Sequence, residues 1–179
     1  MHRWRTKLRK SFVPPLAMAE ALSVEAYHWS MTEGERSAIE GRALLLYDGV
    51  CALCNGVVQL LLKHDRMDRL RYAPLQSELG REMLARFDIR TFPDGVMLLT
   101  DALTVKERMY ARSDAFAMAL QLLSAPWRVV GRALTLLPLA LRDWGYGIVA
   151  RFRYRLFGRY ATCPLPSPEQ RSRMLGVYE

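Results

Sequence analysis

Three cysteines, Cys51, Cys54 and Cys163, are the residues of this chain best suited to chemistry. Two of them stand in Cys51-Ala52-Leu53-Cys54, a spacing that serves either thiol–disulfide exchange or half of a zinc site. Exchange needs one thiol that ionises and attacks, and a second close enough to break the mixed disulfide that forms. A cysteine at the start of a helix meets the first need, because unpaired backbone N–H groups and the helix dipole favour the thiolate. A cysteine three residues later lies about one turn inside and meets the second. Cys51 is therefore expected to attack and Cys54 to resolve.

Asp48 precedes this pair by three residues and admits two readings. Its carboxylate can relay a proton as Cys54 ionises, or Asp48-Gly49 is a turn pair whose side chain caps the helix start. A second negative charge opposes thiolate formation, so a catalytic Asp48 has to be partly protonated or remote from Cys51. A zinc site would need Cys163 together with His28 or His64. Against it, Cys163 stands alone, without a second Cys-x-x-Cys or a closely spaced His pair. Cys163 itself reads as an idle packed thiol or as a third redox group folding back on Cys51. His64 ends a helix, as a surface residue or a partner for the helix dipole.

Those thiols need a frame. Ala43 to Tyr47 is an unbroken apolar run closed by Asp48-Gly49, the pattern of a strand buried on both faces. Asn55 to Lys63 is apolar except for a stripe of Asn55, Gln59 and Lys63, which predicts a helix packed on a sheet. Arg69 to Leu75 offers a second strand, and Ser77 a cap for a helix bearing Leu79, Met83, Leu84 and Phe87. Gly95–Thr100 and Thr104–Tyr110, joined at Asp101-Ala102, predict an antiparallel hairpin, after which Ser113 is expected to cap another helix. Strand, helix, strand, helix, strand, strand, helix is the thioredoxin-like order: an α/β fold with a mixed sheet flanked by helices. Helices from Pro126 to Leu137 and from about Leu139 to Phe157, ended by Gly158, follow as an added C-terminal segment. Ser167-Pro168-Glu169-Gln170 reads as a capping box opening a short last helix. The expected divisions are an extension over 1–41, the core over 42–124 and the helical segment over 125–179.

Tyr47-Asp48-Gly49-Val50-Cys51-Ala52-Leu53-Cys54-Asn55 resembles the signature of the DCC family of thiol-disulfide oxidoreductases, named for its Asp-Cys-Cys. Tyr110-Ala111-Arg112-Ser113-Asp114-Ala115 resembles that family's strand-to-helix junction. A third block, from Tyr146 through Arg151, Arg153-Tyr154-Arg155 and Gly158-Arg159 to Cys163, resembles its C-terminal block, with Phe152 where an Asn is common. The match covers 43–175. The resemblance implies a thioredoxin-like fold and disulfide oxidoreductase activity; no cofactor is expected. Proteins of that fold usually hold a cis-proline beside the cysteines; Pro93 is the candidate, with cis and trans both open.

The rest of the composition bounds the function. The chain has 179 residues, 51% hydrophobic and 25% charged, with a net charge of +8. Five bases and no acid lie between Met1 and Lys10, so the excess is largely a tail property and no nucleic-acid partner is expected. Phe12–Ala19 is broken by Pro14-Pro15 and meets Glu20, so a secretory signal is not expected. A cytoplasmic, reducing setting favours disulfide reduction, with a protein or small-molecule disulfide as substrate and a thiol reductant as second partner. On the last long helix, Ile148, Phe152 and Leu156 are expected to pack inward while Arg151 and Arg155 face solvent. Weak contact with a membrane surface is the other reading of that basic, aromatic stretch. The rival functions are a zinc-stabilised interaction module and a redox-inactive adaptor at a membrane surface.

Overall fold

The computed structural model describes residues 31–89 and 95–177. At its centre lies β1 (Ala43–Tyr47), every residue of which is buried. It pairs in parallel with β2 (Leu70–Pro74), Leu45 opposite Tyr72. On its other edge it runs antiparallel to β3 (Met97–Thr100), Leu45 opposite Leu98. The sheet is completed by β4 (Arg108–Ala111), antiparallel to β3, in the order β2-β1-β3-β4. Successive side chains of β1 point to opposite faces, so an all-apolar strand supplies two cores at once.

Ala43, Leu45 and Tyr47 face α2 (Ala52–His64) and α4 (Arg112–Leu122), which contribute Val58, Leu61, Ala115, Ala119 and Leu120. Leu44 and Leu46 face α3 (Glu78–Arg86), through Leu79, Met83 and Leu84, and Ile39 at the end of α1 (Glu33–Ile39). Each fully buried leucine contributes about 1.5–3 kcal/mol relative to exposure. This is the thioredoxin-like α/β arrangement expected from the element order. α5 (Trp127–Leu136) lies against α4, and Gly131 permits the approach, since a Cβ there would stand 2.7 Å from the Ala117 carbonyl oxygen. α6 (Leu139–Phe157) then stops at Gly158, whose φ of 86° suits glycine. A single 3₁₀ turn, Pro168–Gln170, opens with the capping box of Ser167 and Gln170. Beyond it Met174 bridges Tyr72 on the outer edge of β2.

Several expectations fail here for physical reasons. The stretch 32–41 is not merely extension: a capping box between Thr32 and Glu35 starts α1, and Ile39 is fully buried. The polar stretch from Thr32 to Arg36 is the outward side of this short helix start. The hairpin connection runs from Asp101 to Glu107 rather than over two residues, with Asp101 and Leu103 at positive φ. Ser113 caps nothing: α4 begins at Arg112, and the Ser113 hydroxyl donates to Asp143 Oδ1 at 2.5 Å. Tertiary hydrogen bonding to α6 has outcompeted the local cap. On α6, Arg151 and Arg155 face solvent as expected, but the apolar stripe does not pack inward. Ile148, Phe152 and Leu156 are exposed, while Arg153 is buried. Pro93 lies outside the described residues, among which the cis peptide bond is Ala125–Pro126.

Candidate active site

The dithiol motif spans the junction from β1 to α2. Cys51 is the N-cap of α2, in extended backbone, and its Sγ accepts a hydrogen bond from the Cys54 amide at 3.2 Å. The sulfur thus occupies the place of a capping oxygen, aimed at the positive end of the helix dipole. Both cysteines are free and buried. Asn55 clamps the loop, its side-chain amide donating to the carbonyls of Gly49 (2.7 Å) and Cys51 (3.0 Å). A cover lies over Cys51: Tyr160 N donates to the Val50 carbonyl at 2.8 Å and Ala52 N to that of Gly158 at 3.4 Å. These bonds set Arg159 against Cys51 as a β-bridge.

Asp48, at the end of β1, is the hub of the charges. Its Oδ1 accepts from the Gln76 side-chain amide at 2.9 Å and the Val50 amide at 3.3 Å. Its Oδ2 accepts from Arg153 Nη2 at 3.2 Å and from the Tyr154 hydroxyl. Gln76 is two-ended, since its Oε1 also accepts from the Gly49 amide at 3.0 Å. Burial pushes the Asp48 pKa up, but the hydrogen bonds from Tyr154 and Gln76 and the charge of Arg153 outweigh it. The carboxyl ends below its ordinary value and stays ionised. Arg153 stays a cation: burial opposes its charge, but Tyr154, Cys54 and Asp48 together raise its pKa. Its guanidinium also lies 4.7 Å from the centre of the Tyr154 ring.

Cys54 is pushed strongly upward, first by burial, then by its hydrogen bond with Cys51 and the charges of Cys51 and Asp48. Arg153 works the other way. One thiol of the pair is therefore kept protonated while its partner sits on a helix N-terminus. Tyr146 of α6 reaches the same region. Its hydroxyl accepts from the Val96 amide at 3.1 Å, and its raised pKa, due first to burial, also feels Cys54.

The structure brings Asp48, Cys51 and Cys54 into one cluster. Cys163 reaches its edge: its Sγ lies 3.7 Å from the Tyr47 hydroxyl and packs against Gly49. Among the described residues, no group of three or more His, Cys, Asp or Glu is placed to hold a metal ion. His64 packs on Trp127, ring centres 5.0 Å apart, and His28 lies outside the described residues. Gln76, Asn55, Arg153 and Tyr154 were not singled out from the sequence as parts of a site. For Arg153 and Tyr154 the available signal was their place in the third family block. For Asn55 it was adjacency to the motif. For Gln76, nothing in the local pattern pointed across the sheet.

A cysteine pair at a strand–helix junction of a thioredoxin-like sheet defines a dithiol protein of that fold. Residues 45–159 match the DCC1-like thiol-disulfide oxidoreductase family, and the chain belongs to it. It is similar to the uncharacterized protein YuxK of Bacillus subtilis, 35% identical over 133 residues, covering 74% of this chain and 93% of that protein. It is also similar to a chloroplastic DCC family protein of Arabidopsis thaliana, 36% identical over 124 residues, covering 69% of this chain and 70% of the relative. No solved structure matches it.

Proposed function

We propose that the protein reduces disulfides through Cys51 and Cys54. The Cys51 thiolate attacks one sulfur of a substrate disulfide, the substrate S–S bond breaks, and the departing thiolate takes up a proton. Cys54 then loses its proton and attacks Cys51 Sγ, which releases the second substrate thiolate and leaves a Cys51–Cys54 disulfide. The substrate gains two electrons and two protons; a small or protein thiol donor returns the enzyme to the dithiol form. The observation that carries this reading is the Cys51 sulfur at the helix N-terminus, hydrogen-bonded to the Cys54 amide.

The electrostatics support an ordered sequence. Part of what keeps Cys54 protonated is Cys51 itself. Once Cys51 is tied up in a mixed disulfide its charge is gone, the Cys54 pKa falls, and Arg153 helps the resolving thiolate form. Asp48 acts on this proton step through its charge and its hold on Arg153 rather than by taking the proton in the resting geometry. A reducing compartment such as the cytoplasm fits the reductase direction.

The test uses an aromatic disulfide that releases a coloured thiol. Cys51→Ser is expected to abolish turnover, and Cys54→Ser to stop after one equivalent of thiol with substrate bound covalently to Cys51. Full activity in Cys51→Ser, or near-stoichiometric zinc in protein purified without chelator, would overturn the proposal.

A further inference from the structure

Exposed large apolar side chains are not scattered over this protein. Of the seventeen among the described residues, fifteen lie between Val129 and Leu165. Leu141, Trp144, Ile148, Phe152 and Leu156 follow one another at steps of three or four, a continuous stripe along the outer side of α6. Leu136, at the end of α5, is 86% exposed and Leu156 is 73% exposed, so neither is needed by the core. An apolar surface of this extent marks a docking face.

Charge decides what docks there. From residue 126 to 160 the chain carries seven arginines and one acid, Asp143; Arg142 pairs with Asp114 and the buried Arg153 with Asp48, and Asp143 is occupied by Ser113. Arg151 and Arg155 are exposed on the same helix as the apolar stripe, and Arg132 on α5 and Arg159 just past α6 are exposed as well. In a two-fold contact between copies the same patch meets itself, which would set this arginine-rich surface against its own like charge. An anionic lipid surface meets both needs, taking up the apolar stripe below its headgroups and the arginines among its phosphates. Among the described residues no helix is long and apolar enough to cross a membrane, so the helices would lie in the interface.

We propose that α5 and α6 dock this protein on an anionic membrane surface, with the apolar stripe of α6 lying below the headgroups. Gly158–Tyr160, which covers Cys51, continues directly from α6. The dithiol site is thereby held beside the lipid.

Co-sedimentation of the full chain with vesicles tests this. Binding is expected to phosphatidylcholine vesicles containing phosphatidylglycerol, and to weaken as salt rises. Leu136→Glu with Leu156→Glu should lower affinity more than tenfold while leaving thermal unfolding unchanged. Arg151→Gln with Arg155→Gln should lower it about 25-fold, about fivefold per base, or ~1 kcal/mol each. Replacing Arg3, Arg5, Lys7, Arg9 and Lys10 with Gln should leave most of the binding. Unchanged binding in both helix variants, or loss only in the tail variant, would overturn the assignment. So would a stable lipid-free dimer that the glutamate pair converts to monomer, which would give the face to a second copy.

Discussion

Replacing Arg153 by Met keeps the length of the side chain and removes its charge. The guanidinium and the Asp48 carboxylate are both about nine-tenths buried, so solvent screening does little to soften the loss. Deleting one partner of a buried pair costs about 3–5 kcal/mol, because the other charge is stranded. Asp48 keeps its bonds from Gln76, Val50 and Tyr154, which places the expected cost near the lower end, about 3 kcal/mol at pH 7. For a chain of this size that is a fall in Tm of roughly 6–12 °C. The pH dependence has a definite sign. The Asp48 pKa is depressed in the folded state, so its stabilisation is present above the ordinary carboxylate pKa and is lost as pH falls through the folded value. The gap between wild type and Arg153→Met should therefore narrow below about pH 4. Asp48→Asn with Arg153→Met should cost less than the sum of the two single changes, by more than 1 kcal/mol. Urea unfolding of the four proteins at pH 7 and in acid measures all of this. A single variant within 1 kcal/mol of wild type, or strict additivity in the cycle, would refute the assignment of Arg153 as the partner that holds Asp48 ionised.

Four further outcomes are expected. Cys54 in a Cys51→Ser variant should be alkylated at lower pH than Cys54 in wild type, because two of the causes raising it depart with the Cys51 sulfur; an unchanged or higher midpoint in the rate–pH profile would contradict this. Asn55→Ala, which removes two buried bonds to the Gly49 and Cys51 carbonyls, should lose about 2 kcal/mol of stability in urea and slow exchange with a model disulfide. Gly95→Ala should lower Tm, since Gly95 has φ 113° and sits directly against the Tyr146 hydroxyl. Gly56→Ala, in an exposed turn of α2 with open space around it, should raise stability by about 0.5–1 kcal/mol. If these two alanines shift Tm in the same direction, the packing described for Tyr146 is wrong.

Local pattern carried much of the fold. A five-residue apolar run marks β1 because a strand buried on both faces needs no polar alternation. Gly158 ends α6 where its backbone takes a positive φ, and Ser77 caps α3 with its hydroxyl on the Gly80 amide at 3.0 Å. The two cysteines were legible for the same reason, being defined by three residues of spacing. The charges around them were not. Asp48 meets Gln76 and Arg153 at sequence separations of 28 and 105, and only tertiary packing brings such residues together. The apolar period of α6 was correctly seen but assigned to the wrong side. Periodicity finds a stripe without saying what covers it, and here a buried arginine takes the inner face. Asn55 likewise looked like part of a wet stripe, although its amide is consumed by the loop.

The distance along the chain between the thiols and their cation has a consequence for synthesis. Chains grow at about 5–20 residues per second, and Arg153 follows Asp48 by 105 residues. For roughly 5–20 s after Cys51 and Cys54 are made, the nascent protein therefore carries the pair without Arg153 and without the segment from Gly158 to Tyr160 over it. Through that interval the charge and the cover that surround the thiols in the folded protein are not yet in place.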